Sequence, residues 1–221
     1  MWPERLVAGA EARGKSLPRL MLDVGVDLWR TVASRQGLLC GVLCVLPIGT
    51  GAATGVLSQA EVASGWGVGE DTVALVNGVM NGVISAVGCL VGGELCARFS
   101  SKKVYAAVGL VMALVAVGMA VSPFVPWAYV FYTLAYALVT GLSYAAFTGF
   151  VLEAIGKGAA ATKYNGFASL SNFPIMYMGL VLAWVFEHHR ASGMLLAEAG
   201  FGVAGILVLV VVAAGLRVKR G

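Results

Sequence analysis

Charge is scarce in this chain. Asp, Glu, Lys and Arg make up 12% of its 221 residues, and there are only two histidines. With 59% hydrophobic residues and a mean hydropathy of +0.87, there is too little polar surface to cover a water-exposed body, so a soluble domain is excluded. Segments of about ten residues alternating apolar and polar side chains are missing too, which excludes a transmembrane β-barrel and leaves helices to do the spanning. No basic cluster is interleaved with aromatics, so no nucleic-acid partner is expected. The first sixteen residues, MWPERLVAGAEARGKS, hold no apolar core followed by a small-residue cleavage site. The first long apolar run is therefore expected to act as the insertion signal. Cys40, Cys44, Cys89 and Cys96 all stand inside apolar runs, and Cys40 and Cys44 share a helical face without nearby His or carboxylate, so the four read as small packing residues rather than metal ligands. Neither a metal nor a cofactor is expected.

What the chain does have is apolar length. Six runs, about 38–58, 73–97, 104–122, 127–152, 165–186 and 194–216, each approach the ~20 residues that a helix needs to cross a ~30 Å hydrocarbon core. Residues 37–221 thus read as one six-helix transmembrane domain, and 1–36 as a separate segment. Within the latter, Leu17 to Gln36 reads as an amphipathic helix lying along the membrane surface, with Trp29 near the headgroups and Gly25 weakening it.

The cations set an orientation. Residues 1–36 hold Arg5, Arg13, Lys15, Arg19, Arg30 and Arg35; Arg98, Lys102 and Lys103 follow the second run, Lys157 and Lys163 the fourth, and Arg217, Lys219 and Arg220 the sixth. Only Arg190 falls on the other side. Cytoplasmic flanks accumulate Lys and Arg, so both termini are expected in the cytoplasm and the number of spans should be even.

Some spans are decorated. The first contains Pro47-Ile-Gly-Thr-Gly-Ala-Ala-Thr-Gly55. It lacks the Lys and the preceding strand of a nucleotide loop and reads instead as a softened helix, with Thr50 and Thr54 as candidates to line a cavity. In the second span, Gly78 and Gly82, then Gly88 and Gly92, form two patterns that let helix backbones approach in lipid, while Asn77 and Asn81 stand one turn apart, as interhelical glue or as substrate contacts. The fourth carries a polar-aromatic stripe, Tyr129, Tyr132, Tyr136, Thr140, Ser143 and Phe147, which serves either interhelical hydrogen bonding or a solute path. Glu153 and Glu198 are the carboxylates within or against apolar runs and are candidates for proton coupling, although each could also reach headgroup water. Glu187-His188-His189-Arg190 is expected in a solvated outer loop.

The end of the second span, Val91-Gly-Gly-Glu-Leu-Cys-Ala-Arg-Phe-Ser-Ser-Lys-Lys103, resembles the loop signature of the major facilitator superfamily. Gly93, Leu95, Arg98 and Lys102 fall on its pattern; Ala97 stands where that family has an acid. The stretch 152–174 resembles the muropeptide-permease-like members, the branch of peptide and acetyl-coenzyme A transporters. Over residues 27–216 the likeness is to the C-terminal six-helix half. It implies two inverted three-helix repeats, the first and fourth spans lining a central cavity, a bacterial inner membrane, a small solute moved by alternating access with proton coupling, and a second six-helix half as partner, from another chain or a second copy.

Two other functions fit the sequence less well. One is a non-transporting membrane partner or truncated remnant. The other is an intramembrane serine hydrolase, suggested by Gly141-Leu-Ser143 in the fourth span, with His188 and His189 ill placed to activate the serine. The chain is not expected to be an enzyme.

Overall fold

A computed structural model describes residues 17–155 and 160–218. All regular structure among the described residues is helical. Helix α1 spans Leu17–Ala33, α2 Arg35–Val45, α3 Ala53–Leu57 and α4 Ala60–Ala63. Four long helices follow: α5 (Glu70–Arg98), α6 (Ser101–Val121), α7 (Pro126–Ile155) and α8 (Ala160–Val218). All four are long and apolar enough to cross a membrane, which makes this a helical membrane protein. Lys157, Lys219, Arg220 and the cations before Leu17 lie outside the described residues.

The expected surface helix is α1, and Gly25 does not interrupt it. Leu22, Val26, Trp29 and Val32 are exposed, an apolar face turned away from the bundle. The other face is pinned by Asp27 Oδ2, 2.9 Å from Lys163 Nζ at the start of α8. Ser34 Oγ accepts the Gly37 N–H at 3.0 Å and caps α2 directly after α1.

The run 38–58 is not one helix. Leu46 adopts the extended conformation that a following proline imposes. Gly49 and Gly51 both take φ of 59°, a left-handed backbone that glycine adopts without cost. The chain resumes helical geometry only at Ala53.

Helix α5 packs most extensively on α7, and its glycines divide. Gly88 and Gly92 lie against the α7 backbone, Gly92 with its Cβ position 2.8 Å from Ala145 Cβ and 3.0 Å from the Leu142 carbonyl oxygen, whereas Gly78 and Gly82 have open space around them. Residues Val76–Met80 form a π-turn that carries Asn77, a local widening of a kind often found at functional sites. Beyond it, Trp66 stacks with Phe124 and Tyr129 at centroid distances of 4.6 and 5.9 Å.

The expected spans 165–186 and 194–216 both belong to α8, and the expected outer loop at 187–190 is a correction. Glu187, His188 and His189 are helical, and Arg190 alone departs, with φ 59° and ψ −170°. The Trp184 and His188 rings stack at 4.4 Å, and His188 Nδ1 lies 2.8 Å from the Trp184 carbonyl oxygen, which holds the helix together up to the break. Arg190 thus occupies a backbone region that is nearly glycine-only and costs about 1–3 kcal/mol. Arg190→Gly is expected to raise stability by about 1 kcal/mol, measured as a higher unfolding midpoint in detergent; a lower one would mean that the side chain holds the turn.

Candidate functional site

The broken first span meets the α7 stripe face to face. The Cβ position of Gly49 is 3.4 Å from Ser143 Oγ and that of Gly51 is 3.2 Å from Thr140 Oγ1. Side chains at both glycines would crowd these hydroxyls. A pocket opens here, lined by Thr50, Thr140 and Ser143 together with Tyr105 of α6 and Ser171 and Pro174 of α8. Tyr105 donates to the Ile48 carbonyl at 3.1 Å and Tyr177 to that of Val45 at 2.9 Å. Carbonyls freed by the interruption are thereby satisfied from α6 and from the first arm of α8.

The donors freed by the same interruption find Glu198, on the second arm of α8. Ala53 N–H donates to Glu198 Oε1 at 3.1 Å, and Tyr136 O–H donates to Oε2 at 2.7 Å. Glu198 is only 5% exposed. It therefore sits in the core and not in headgroup water. Helix α3 has no side-chain cap of its own; a carboxylate from nearly 150 positions away in sequence takes that place. One donor holds each carboxylate oxygen, so Glu198 ties the second arm of α8 to both α3 and α7.

The remaining candidates lie elsewhere. Asn77 Nδ2 donates to Tyr129 Oη at 2.9 Å, and Tyr129 donates to the Leu57 carbonyl at 2.8 Å, a link between α5, α7 and α3. Ser85 gives its proton to the Ala137 carbonyl at 3.0 Å, with Asn81 Oδ1 3.4 Å away. Tyr132 packs over Gly118, its Cε1 2.9 Å from that glycine's Cβ position. Thr54 closes its own turn, donating to the Gly51 carbonyl at 2.6 Å. None of these four candidates, Asn77, Asn81, Thr54 and Tyr132, lines the pocket. Among the described residues no histidine lines it either, and His188 and His189 are exposed.

The α5–α6 junction divides the loop-signature residues among different partners. Arg98 pairs with Glu94 of its own helix at 2.6 Å, both well exposed, a contact worth little. Gly93 is open, and Leu95 packs partly against the core. The link to α7 comes from Ser101 Oγ, which donates to Glu153 Oε1 at 2.8 Å, placing that carboxylate at the α6 N-terminus, where the helix dipole favours it. Glu153 does not line the pocket, and neither do Glu198 and Tyr136. Ser171, Tyr105 and Tyr177 were not among the candidates, and no spacing in the sequence links them. Among the described residues, no three of His, Cys, Asp and Glu gather as a metal site would require. Compared with known proteins, the chain matches no protein-family model and no curated protein sequence.

Proposed function

We propose that the chain is one half of a secondary solute transporter of the major-facilitator type. In this reading the broken helix is the first span, α5, α6 and α7 are the second to fourth, and the arms of α8 either side of Arg190 are the fifth and sixth, forming two inverted three-helix repeats with both termini in the cytoplasm of a bacterium. The observation that carries it is the interrupted helix itself. Its freed carbonyls and N–H groups are met by tyrosines and by a buried carboxylate, and beside it Thr140 and Ser143 of α7 line a pocket, which supports reading it as one of the discontinuous membrane helices that build solute and ion sites. The first and fourth spans, which the family likeness assigns to the cavity, both contribute to that pocket, with residues of the third and fifth beside them.

Proton coupling would run through Glu198 rather than Glu153, because only Glu198 joins the broken helix to α7. A second six-helix half would close the cavity from the other side. Helix α5 leaves the largest part of its span uncovered by the rest of the chain, with Gly78 and Gly82 open on it, and offers that half a surface.

The test is uptake into proteoliposomes of labelled dipeptide, muropeptide and acetyl-coenzyme A, with and without an imposed pH gradient. Gradient-driven accumulation is expected for wild type. Glu198→Gln, which mimics the protonated carboxyl, should retain solute exchange and lose accumulation. If no solute moves while the chain remains folded and self-associated, the non-transporting partner is the better description.

A further inference from the structure

Three cations converge where no carboxylate answers them. Arg35 at the start of α2, with Lys102 and Lys103 at the start of α6, rims a cleft whose apolar wall includes Leu43 of α2 and Leu209 and Val210 of α8. Among the described residues no Asp or Glu lines it. Neither helix has an acid in its first turn, so the cations sit on the positive ends of two helix dipoles, where positive charge is disfavoured. The carboxylate that reaches α6, Glu153, is held by Ser101 and stands outside the cleft. Arg35 Nη2 is shielded from solvent and has no hydrogen-bond partner among the described residues. A shielded guanidinium donor without an acceptor is costly.

Charge and apolarity together select the occupant. A free anion would satisfy the cations but leave the wall unused, and a neutral lipid would do the reverse. Val210 is exposed and Leu209 only partly buried, so the wall opens outward to where acyl chains lie. We infer that the cleft binds a membrane phospholipid of net negative headgroup, its phosphate taken by Arg35, Lys102 and Lys103 and one acyl chain laid against Leu209 and Val210. The bound lipid would join α2, α6 and the second arm of α8. The inference does not depend on transport.

Native mass spectrometry of the purified full chain, titrated with phosphatidylglycerol, phosphatidylethanolamine or inorganic phosphate, tests it. Phosphatidylglycerol is expected to stay bound and to raise the melting temperature, and the other two to do neither. Arg35→Gln should weaken phosphatidylglycerol about fivefold, the equivalent of ~1 kcal/mol per cation near anionic lipid, and Lys102→Gln with Lys103→Gln should weaken it further. Val210→Trp, which fills the wall and leaves every cation in place, should also weaken it, so that a charge variant that fails to fold does not decide the matter. Equal retention of phosphatidylethanolamine, equal affinity for phosphate alone, or unchanged phosphatidylglycerol binding in Val210→Trp would each overturn the assignment.

Discussion

Glu198→Ala is expected to destabilise the fold by about 3 kcal/mol. The substitution strips the acceptor from the Ala53 N–H and from the Tyr136 hydroxyl at once, and both donors are buried. A buried donor left without a partner costs about 1–3 kcal/mol, and no other side chain caps α3. Thermal unfolding in detergent should show the loss as a melting temperature lower by several degrees. Tyr136→Phe removes only one of the two bonds and should cost about 1 kcal/mol; in the double variant the effects should fall short of their sum, because alanine has already released Tyr136. Additive effects would mean that Tyr136 and Glu198 do not interact. An unchanged melting temperature in Glu198→Ala would remove the carboxylate from the core of the site altogether.

Gly88→Val and Gly141→Val are expected to be still more damaging and to leave little folded protein in the membrane. A Cβ on Gly88 would land on the Leu138 carbonyl oxygen, and one on Gly141 on that of Ser85. These are backbone atoms, so neither neighbour can swing aside, and overpacking costs about 1–3 kcal/mol even where side chains can yield. The milder Gly88→Ala and Gly141→Ala should accumulate with a lowered melting temperature. Gly78→Ala and Gly82→Ala serve as controls, since both positions are open, and should melt as wild type does. If all four alanine variants behave alike, α5 and α7 are not in backbone contact.

The contrast between the two glycine pairs was partly legible in the sequence. Gly82 and Gly88 are six residues apart, which at ~100° per residue puts their directions about 120° apart around the helix. They do not face one neighbouring helix alike, though spacing alone does not say which pair it covers. The pairing of the broken span with the α7 stripe was legible for a different reason: proline, glycine and hydroxyls are costly against lipid, so two spans rich in them are drawn to each other.

The site's central contact was hidden. Glu198 attracts notice as an intramembrane carboxylate, but its partner is a main-chain N–H that becomes available only because the helix stops before Ala53. A backbone donor has no sequence signature. The break in α8 was legible as a polar stretch between two apolar runs, but its form was hidden, since nothing in Glu187-His188-His189 opposes helix and the turn falls on an arginine, a residue poorly suited to that backbone. The π-turn at Val76–Met80 likewise has neither a proline nor a run of glycines to announce it.

That single non-helical residue governs how the two arms of α8 can move. A loop of several residues would give slack, and the arms could slide past one another; one residue acts as a pivot. Both arms reach the broken helix, the first through Tyr177 and the second through Glu198. A rotation about Arg190 changes their separation by an amount that grows with distance from it. At 1.5 Å per residue the second arm, 191–218, is a lever about 40 Å long, so a swing of about 10° moves its far end by about 7 Å and the stretch beside the pivot by almost nothing.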